Sequence, residues 1–133
     1  MRIVIDASAI ANFALKKNKA ASIDNYLSKA DFIIAPSLLI SEITNVFWKY
    51  HTFQNVPINL CESLIDKSIN SIDKYYNEKD YFQEAFSFSC LTKHSVYDAM
   101  YLILARRENA NILTLDKKMQ KTAKLQSIKI LDL

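Results

Sequence analysis

Four acidic side chains, Asp6, Glu42, Asp98 and Asp116, are the residues of this sequence best suited to chemistry. Gathered in one cleft, four carboxylates repel one another, which raises their pKa values or destabilises the fold. A hard divalent cation reverses that balance, and an all-oxygen donor set selects Mg²⁺ or Mn²⁺ over zinc. Such a cation neutralises a phosphodiester, lowers the pKa of a water and steadies the leaving oxygen during in-line displacement. No covalent nucleophile is then required, and none is evident. The two histidines, His51 and His94, have no partner at zinc-ligand spacing and read as surface or structural residues.

Three of the four acids also have a simpler explanation. Asp6 and Asp116 each stand just before a helical stretch, where a carboxylate accepts a backbone N–H bond as an N-cap. Ser95 and Asp98 spell the S-x-x-D pattern of a capping box. Glu42 is different. Its neighbours three and four positions away are Leu38, Leu39, Asn45 and Val46, which puts it on or beside a buried stripe. A half-buried ionised carboxylate needs a cation or strong hydrogen bonds to offset its lost hydration. Lys49, two turns on, is one candidate, and a metal ion a better one. Capping and catalysis are compatible, because a helix N-terminus adds positive potential that helps hold acids together.

The elements that must position these residues alternate in type. Arg2–Asp6 is a continuous apolar run ending in an acid, the pattern of a strand buried on both faces. Helices are predicted over 7–16 and 19–30, a strand over 32–35, and a long helix over 37–53. After the break at Asn55-Val56-Pro57 come a helix to about Ser71 and a short strand over 72–76. Helices over 80–93 and 95–108, a strand over 111–115, a helix over 117–125 and a closing strand over 128–131 complete the chain. This predicts one α/β domain over 1–133, with a parallel sheet covered on both faces. Sites in such sheets form beyond the carboxyl ends of the strands. Asp6 and Asp116 follow strands, while Glu42 and Asp98 lie in early turns of helices, so all four can converge.

Composition bounds the rest. At 133 residues, half of them hydrophobic, the chain can bury a core without disulfides. Cys61 and Cys90 fall in apolar, helix-like stretches and are expected to be buried reduced thiols. The net charge of +3 permits a nucleic-acid partner without arguing for one. There is no glycine, which excludes a Walker loop and a dinucleotide fingerprint, so no nucleotide cofactor is expected. Turns must rely on Asn, Asp, Ser and two prolines. No signal peptide or membrane span is apparent, and a soluble cytoplasmic protein is expected.

Four segments carry a resemblance: Ile3-Val-Ile-Asp6-Ala-Ser8, Pro36-Ser-Leu-Leu-Ile-Ser-Glu42-Ile-Thr-Asn45-Val-Phe-Trp48-Lys49, Tyr97-Asp98-Ala99-Met-Tyr101-Leu-Ile-Leu-Ala105 and Leu113-Thr114-Leu115-Asp116-Lys117. In this order and spacing the chain resembles the PIN domains, and within them the VapC-type toxins of toxin–antitoxin pairs. The resemblance implies a three-layer α/β/α domain with a mostly parallel five-stranded sheet. It also implies an endoribonuclease that uses Mg²⁺ or Mn²⁺ to cleave single-stranded regions of RNA. Asp6, Glu42, Asp98 and Asp116 match the acidic quartet, with Asp6 and Asp98 expected as the main metal ligands. Ser8, Asn45 and Thr114 match residues that support the site. A homodimer and a cognate antitoxin are the implied partners. The departure is the missing glycine, which relatives commonly carry around Gln126–Ser127.

A solvated face is the default for Lys117 and Lys118, but if the acids converge these two lie beside the cleft, where they could hold phosphates. Further basic side chains stand at Lys16, Lys17, Lys19, Arg106, Arg107, Lys121 and Lys124, for which a solvated face is the default. Tyr97 and Tyr101 flank Asp98 as candidates for base stacking, with core packing expected for at least one. Two other readings rank lower. Aspartyl-phosphate enzymes want a second Asp where Ser8 stands, and receiver domains want an acid beside Asp6. A catalytically silent binding module would not need a half-buried Glu42.

Overall fold

The computed structural model describes residues 1–133. Four strands form one parallel sheet: β1 (Arg2–Ile5), β2 (Phe32–Pro36), β3 (Lys74–Tyr76) and β4 (Asn111–Leu113). Their order across the sheet is β3-β2-β1-β4. Ile3, Val4 and Ile5 of the central strand are completely buried, as a strand covered on both faces requires. The expected closing strand is reduced to one parallel bridge between Ile112 and Ile130. Two hydrogen bonds hold it, Ile112 N–H to Lys129 O and Leu131 N–H to Ile112 O, both 2.9 Å. The sheet thus has four strands and the rudiment of a fifth. β4 is itself only three residues long, so it offers little length for a longer ladder.

Seven helices cover the sheet: α1 (Ala7–Ala14), α2 (Ala20–Lys29), α3 (Leu38–Gln54), α4 (Ile58–Asn70), α5 (Phe82–Thr92), α6 (Val96–Arg107) and α7 (Lys117–Leu125). Right-handed crossovers put the helices between β1, β2 and β3 on one face. The chain then returns past β1 to β4, which puts α5 and α6 on the other. The packing agrees: α1 meets α2, α3 and α4, whereas α6 meets α5, α7 and the strands β1, β2 and β4. Residues Ala99 to Ala105 of α6 are all buried, the pattern of a helix enclosed on every side. Burying side chains such as Leu102, Ile103 and Leu104 contributes about 1.5–3 kcal/mol each, so α6 is a rigid support.

Two expectations change in detail, the start of α5 and the burial of Cys90. α5 begins at Phe82 rather than Asp80, because a 3-10 turn at Glu78–Asp80, capped by Asn77, occupies the preceding residues. Glu78 in that turn takes over the start of α3. Its carboxylate accepts from Ser37 Oγ (2.5 Å) and from the Leu38 N–H (2.6 Å), while Ser37 itself caps nothing. Cys61 is buried as expected, but Cys90 is exposed. It lies one helical turn from exposed Phe86, on the face of α5 opposite the buried Ala85 and Phe88. The apolar character of α5 extends to its outer face, which is why composition misplaced this thiol.

Without glycine, five other residues take the left-handed conformation: Lys16, Asn55, Lys93, Asn109 and Ser127. The two asparagines tolerate it well, whereas other side chains cost roughly 1 kcal/mol or more there. Ser127 (φ 55°) occupies the stretch where the resemblance leads one to expect glycine. Ser127→Gly is therefore expected to stabilise the domain by about 0.5–1 kcal/mol, net of the extra chain entropy glycine loses. Urea unfolding measures this directly, and a lowered midpoint would refute the strain at Ser127.

Candidate active site

Connections from β1 leave toward β2, and the chain later returns to the other side of β1 at β4. The crevice beyond the carboxyl ends of β1 and β4 is therefore the switch point of the sheet. Asp6 follows β1 directly and Asp116 lies three residues beyond β4. Both cap the helices that follow: Asp6 Oδ1 accepts the Ala9 N–H at 3.0 Å, and Asp116 Oδ1 accepts the Met119 N–H at 3.0 Å. The Asp98 N–H donates to Ser95 Oγ at 3.2 Å. The capping expected at all three acids is present. It occupies part of the Asp6 and Asp116 carboxylates; at Asp98 the cap is the Ser95 hydroxyl, and the Asp98 carboxylate takes no part in it.

Asp6 is the most enclosed of the four. Ser8 Oγ donates to Oδ1 at 2.7 Å, and Thr114 Oγ1 donates to Oδ2. Those hydroxyls also fix the loop after β4, since Ser8 Oγ accepts the Leu115 N–H at 3.1 Å and Thr114 Oγ1 accepts the Asp116 N–H at 3.0 Å. Ser8 and Thr114 thus tie two acid-bearing loops into one unit. Burial pushes the Asp6 carboxyl above its ordinary range; the hydrogen bonds from Thr114, Ser8 and Ala9 pull it down, and nearby Asp116 adds to the rise.

Glu42 is half-buried in the second turn of α3. Its neutralising partner is not Lys49, which forms no ion pair with it. Instead the Tyr101 hydroxyl donates to Oε1 at 2.5 Å. Burial raises the Glu42 carboxyl, Tyr101 lowers it, and the charges of Asp6 and Asp98 raise it further. Burial and the neighbouring Glu42 together push the Tyr101 phenol far above its usual value, so it stays a proton donor. Asp98 meets His94, whose Nδ1 lies 3.4 Å from Oδ2, and His94 Nε2 in turn lies 2.5 Å from Thr122 Oγ1. The charge of Asp116 bears on Asp6, and those of Asp6 and Asp98 bear on Glu42. Asn45 is exposed on α3 and bonds to none of them.

No lysine or arginine pairs with any of the four; the single basic neighbour is His94 beside Asp98. As placed, no three Asp, Glu, His or Cys side chains stand close enough to close around a metal ion. The donor chemistry nonetheless suits a hard cation. A carboxylate offers about four lone-pair sites. Asp6 has three engaged, and Glu42 Oε2, Asp98 Oδ1 and Asp116 Oδ2 have no partner. Each acid therefore keeps a free oxygen site, and no soft ligand competes.

The chain belongs to the PIN-domain family. The family profile matches residues 3–125, nearly the whole domain. Ribonuclease VapC3 of Pyrobaculum aerophilum is 26% identical over 125 residues, covering 90% of this chain and 92% of that protein. Among solved structures, PAE2754 from Pyrobaculum aerophilum superposes with a TM-score of 0.70 at 19% identity, over 90% of this PIN domain and 82% of that chain. Mycobacterium tuberculosis VapC20, described as a sarcin-ricin-loop-cleaving toxin, superposes with a TM-score of 0.67 at 12% identity, over 90% and 94% of the two chains. At such identities the two structures speak to the fold, which is the expected three-layer α/β/α arrangement.

Around the PIN site the aromatic pair divides as expected. Tyr101 is buried and Tyr97 is 67% exposed. Lys117 and Lys118 are exposed beside Asp116, and Lys118 Nζ reaches Lys93 O at 3.4 Å. Arg106 and Arg107 are instead engaged by Glu84 of α5. Lys17 lies over the Tyr50 ring. Sequence reasoning misses His94 and Thr122 as partners of Asp98, and it offers Tyr101 only for base stacking or core packing, not as the partner of Glu42. The four-residue spacing of His94 and Asp98 was the available signal. An apolar cavity of about 570 Å³ between α1, α2 and α4, with Ile10, Phe13 and Leu64 in its wall, includes none of the acids.

Proposed function

We propose that this PIN domain is a Mg²⁺- or Mn²⁺-dependent endoribonuclease that cleaves single-stranded regions of RNA, acting as the toxin of a VapBC-type pair. What supports this reading is a set of four carboxylates, Asp116 bearing on Asp6 and Asp6 and Asp98 on Glu42, each with a free oxygen site and none paired with lysine or arginine. Left unneutralised, such a cluster only costs stability. Asp6, Glu42, Asp98 and Asp116 are the residues that would hold the cation, with Asp6 and Asp98 as main ligands. Bound there, a divalent ion supplies charge neutralisation at the phosphodiester and an acidified water. The chain's own residues do the rest. Ser8 and Thr114 hold Asp6 in one orientation, Tyr101 holds Glu42, and His94 faces Asp98. Lys117 and Lys118 contact phosphates flanking the cleavage point, and exposed Tyr97 offers a ring to an unpaired base.

The toxin reading brings partners with it. Exposed Phe82 and Phe86 on α5, with Trp48 and Phe53 on α3, supply apolar area for a homodimer. A cognate antitoxin needs its own surface, and the apolar cavity between α1, α2 and α4 suits a hydrophobic segment. No helix is long and apolar enough to cross a membrane, and we place the protein in the cytoplasm with its RNA.

The test is Mn²⁺-dependent cleavage of single-stranded RNA by the wild type and by Asp98→Ala. Cleavage is expected from the wild type, lost in EDTA and lost in the variant. A wild type that binds RNA but never cuts would make this a binding module instead. A variant that cuts as well as the wild type would expose a contaminant.

A further inference from the structure

We infer that Tyr101 is a positioning residue that holds Glu42 in the acidic cluster against the repulsion of its neighbours. The inference rests on the metal-dependent reading above and concerns how this chain builds its site. Between Ala99 and Ala105 every side chain is buried, and Tyr101 is the one member with a polar group. A hydroxyl buried where an aliphatic chain would pack is unfavourable unless it is bonded. Its partner is Glu42 Oε1, at 2.5 Å.

The bond spans the molecule in an unusual direction. α3 and α6 cover opposite faces of the sheet, so Tyr101 and Glu42 meet across the carboxyl edge of the strands, where Asp6 also lies. Asp6 influences both residues, and Asp98 influences Glu42, each disfavouring a second negative charge. Glu42 is half-exposed on a flexible side chain with three rotatable bonds. Repulsion from two nearby carboxylates drives it outward toward water. Nothing cationic draws it back.

A tyrosine does what a lysine at this place would not. Its neutral O–H donor fixes one oxygen while leaving the cluster's net negative charge intact for a divalent ion. A lysine would hold Glu42 equally well and would neutralise the site itself. With Oε1 held, Oε2 is the free oxygen, which is how an outer hydrogen bond orients a metal-binding carboxylate.

The experiment uses the full chain as wild type, Tyr101→Phe, Glu42→Ala and the double variant. Phe keeps the ring and removes only the hydroxyl. Thermal unfolding is followed in EDTA and across a Mn²⁺ titration. Tyr101→Phe is expected to unfold within a few degrees of wild type in EDTA. Its half-stabilising Mn²⁺ concentration is expected to rise about tenfold or more, the usual effect of losing an outer-shell partner. In the Glu42→Ala background the same change should add little, because Tyr101 acts through Glu42. Unchanged Mn²⁺ affinity, or an equal further loss without Glu42, overturns the proposal. Tighter binding overturns it too, since the tyrosine would then compete with the metal. A second measurement needs no variant: the buried Tyr101 hydroxyl proton, seen by NMR, should persist and shift on saturation with Mg²⁺. Its disappearance would show Glu42 leaving Tyr101 to reach the ion. A wild type that Mn²⁺ does not stabilise at all removes the metal reading and this inference with it, whereas normal wild-type binding with an indifferent Tyr101→Phe removes the inference alone.

Discussion

Asp6→Asn is expected to abolish metal-dependent RNA cleavage, by about a thousandfold or more, without destabilising the metal-free domain at neutral pH. The first half follows from the ligand role. Losing several kcal/mol of charge stabilisation at the reacting phosphodiester corresponds to three or more powers of ten in rate. The second half follows from the bonds Asp6 makes. Asn caps a helix as well as Asp does, so its amide oxygen can keep the Ala9 N–H and the Ser8 hydroxyl. Its NH₂ faces Thr114, whose hydroxyl can turn to accept. What disappears is a carboxylate that burial holds above its ordinary pKa and that Asp116 repels. Asp6→Ala is the contrast. It loses the same chemistry and also the cap, which costs about 0.5–2 kcal/mol. Cleavage assays with unfolding curves in EDTA separate the two. If Asp6→Asn is markedly less stable than the wild type in EDTA, the charged carboxylate itself stabilises the metal-free fold and the inferred repulsion is wrong. If it still cuts, Asp6 is not a main ligand.

How much of this was legible beforehand depends on the range of the interaction. β1 was readable because Ile3, Val4 and Ile5 form a run that suits only a strand covered on both faces, and all three are completely buried. The caps at Asp6, Ser95 and Asp116 are readable because each is closed within three residues. Glu42 stands out in the sequence as a carboxylate in need of a partner, but of the two candidates named there Lys49 makes no bond to it, and Tyr101, which does, is not among them. Lys49 is near in sequence, whereas Tyr101 lies 59 residues away on the opposite layer of the fold. Periodicity finds which face of a helix is buried and says nothing about what lies across from it. Cys90 was misplaced for a related reason: apolar residues on both sides of α5 hid which side faces out. Ser8 and Thr114 come from the resemblance, and their role as a tie between two loops 106 residues apart needs coordinates. Asn45 came from the resemblance and not from any interaction, and it stands exposed and apart from the acids.

The same electrostatics predict opposite pH responses for the metal-free and metal-loaded domain. Asp6 and Glu42 are both raised in the fold, chiefly by burial. A carboxyl whose folded pKa exceeds its unfolded value binds protons more readily in the native state, so stability falls as pH rises. Their contribution is complete below the ordinary carboxylate range and is lost as pH climbs through the raised folded values. Asp31, drawn down by the N-terminal amine, works with the opposite sign. Its window lies below the ordinary range and does not overlap. In EDTA, the unfolding temperature is therefore expected to drop as pH rises from the ordinary carboxylate range through the raised folded values of Asp6 and Glu42. A divalent ion takes the deprotonated carboxylates, so it competes with protons and binds better as pH rises. At one hundred times its dissociation constant it adds about 2.7 kcal/mol. The gap between Mn²⁺ and EDTA melting curves should widen across the range in which the metal-free protein weakens. Asp6→Asn should flatten the EDTA slope and narrow the gap together, because one carboxylate underlies both. A metal-free stability that rises with pH, beside a Mn²⁺ gap that does not change, would mean these acids stand apart in solution. The cluster would then be a set of helix caps, with no metal site among them.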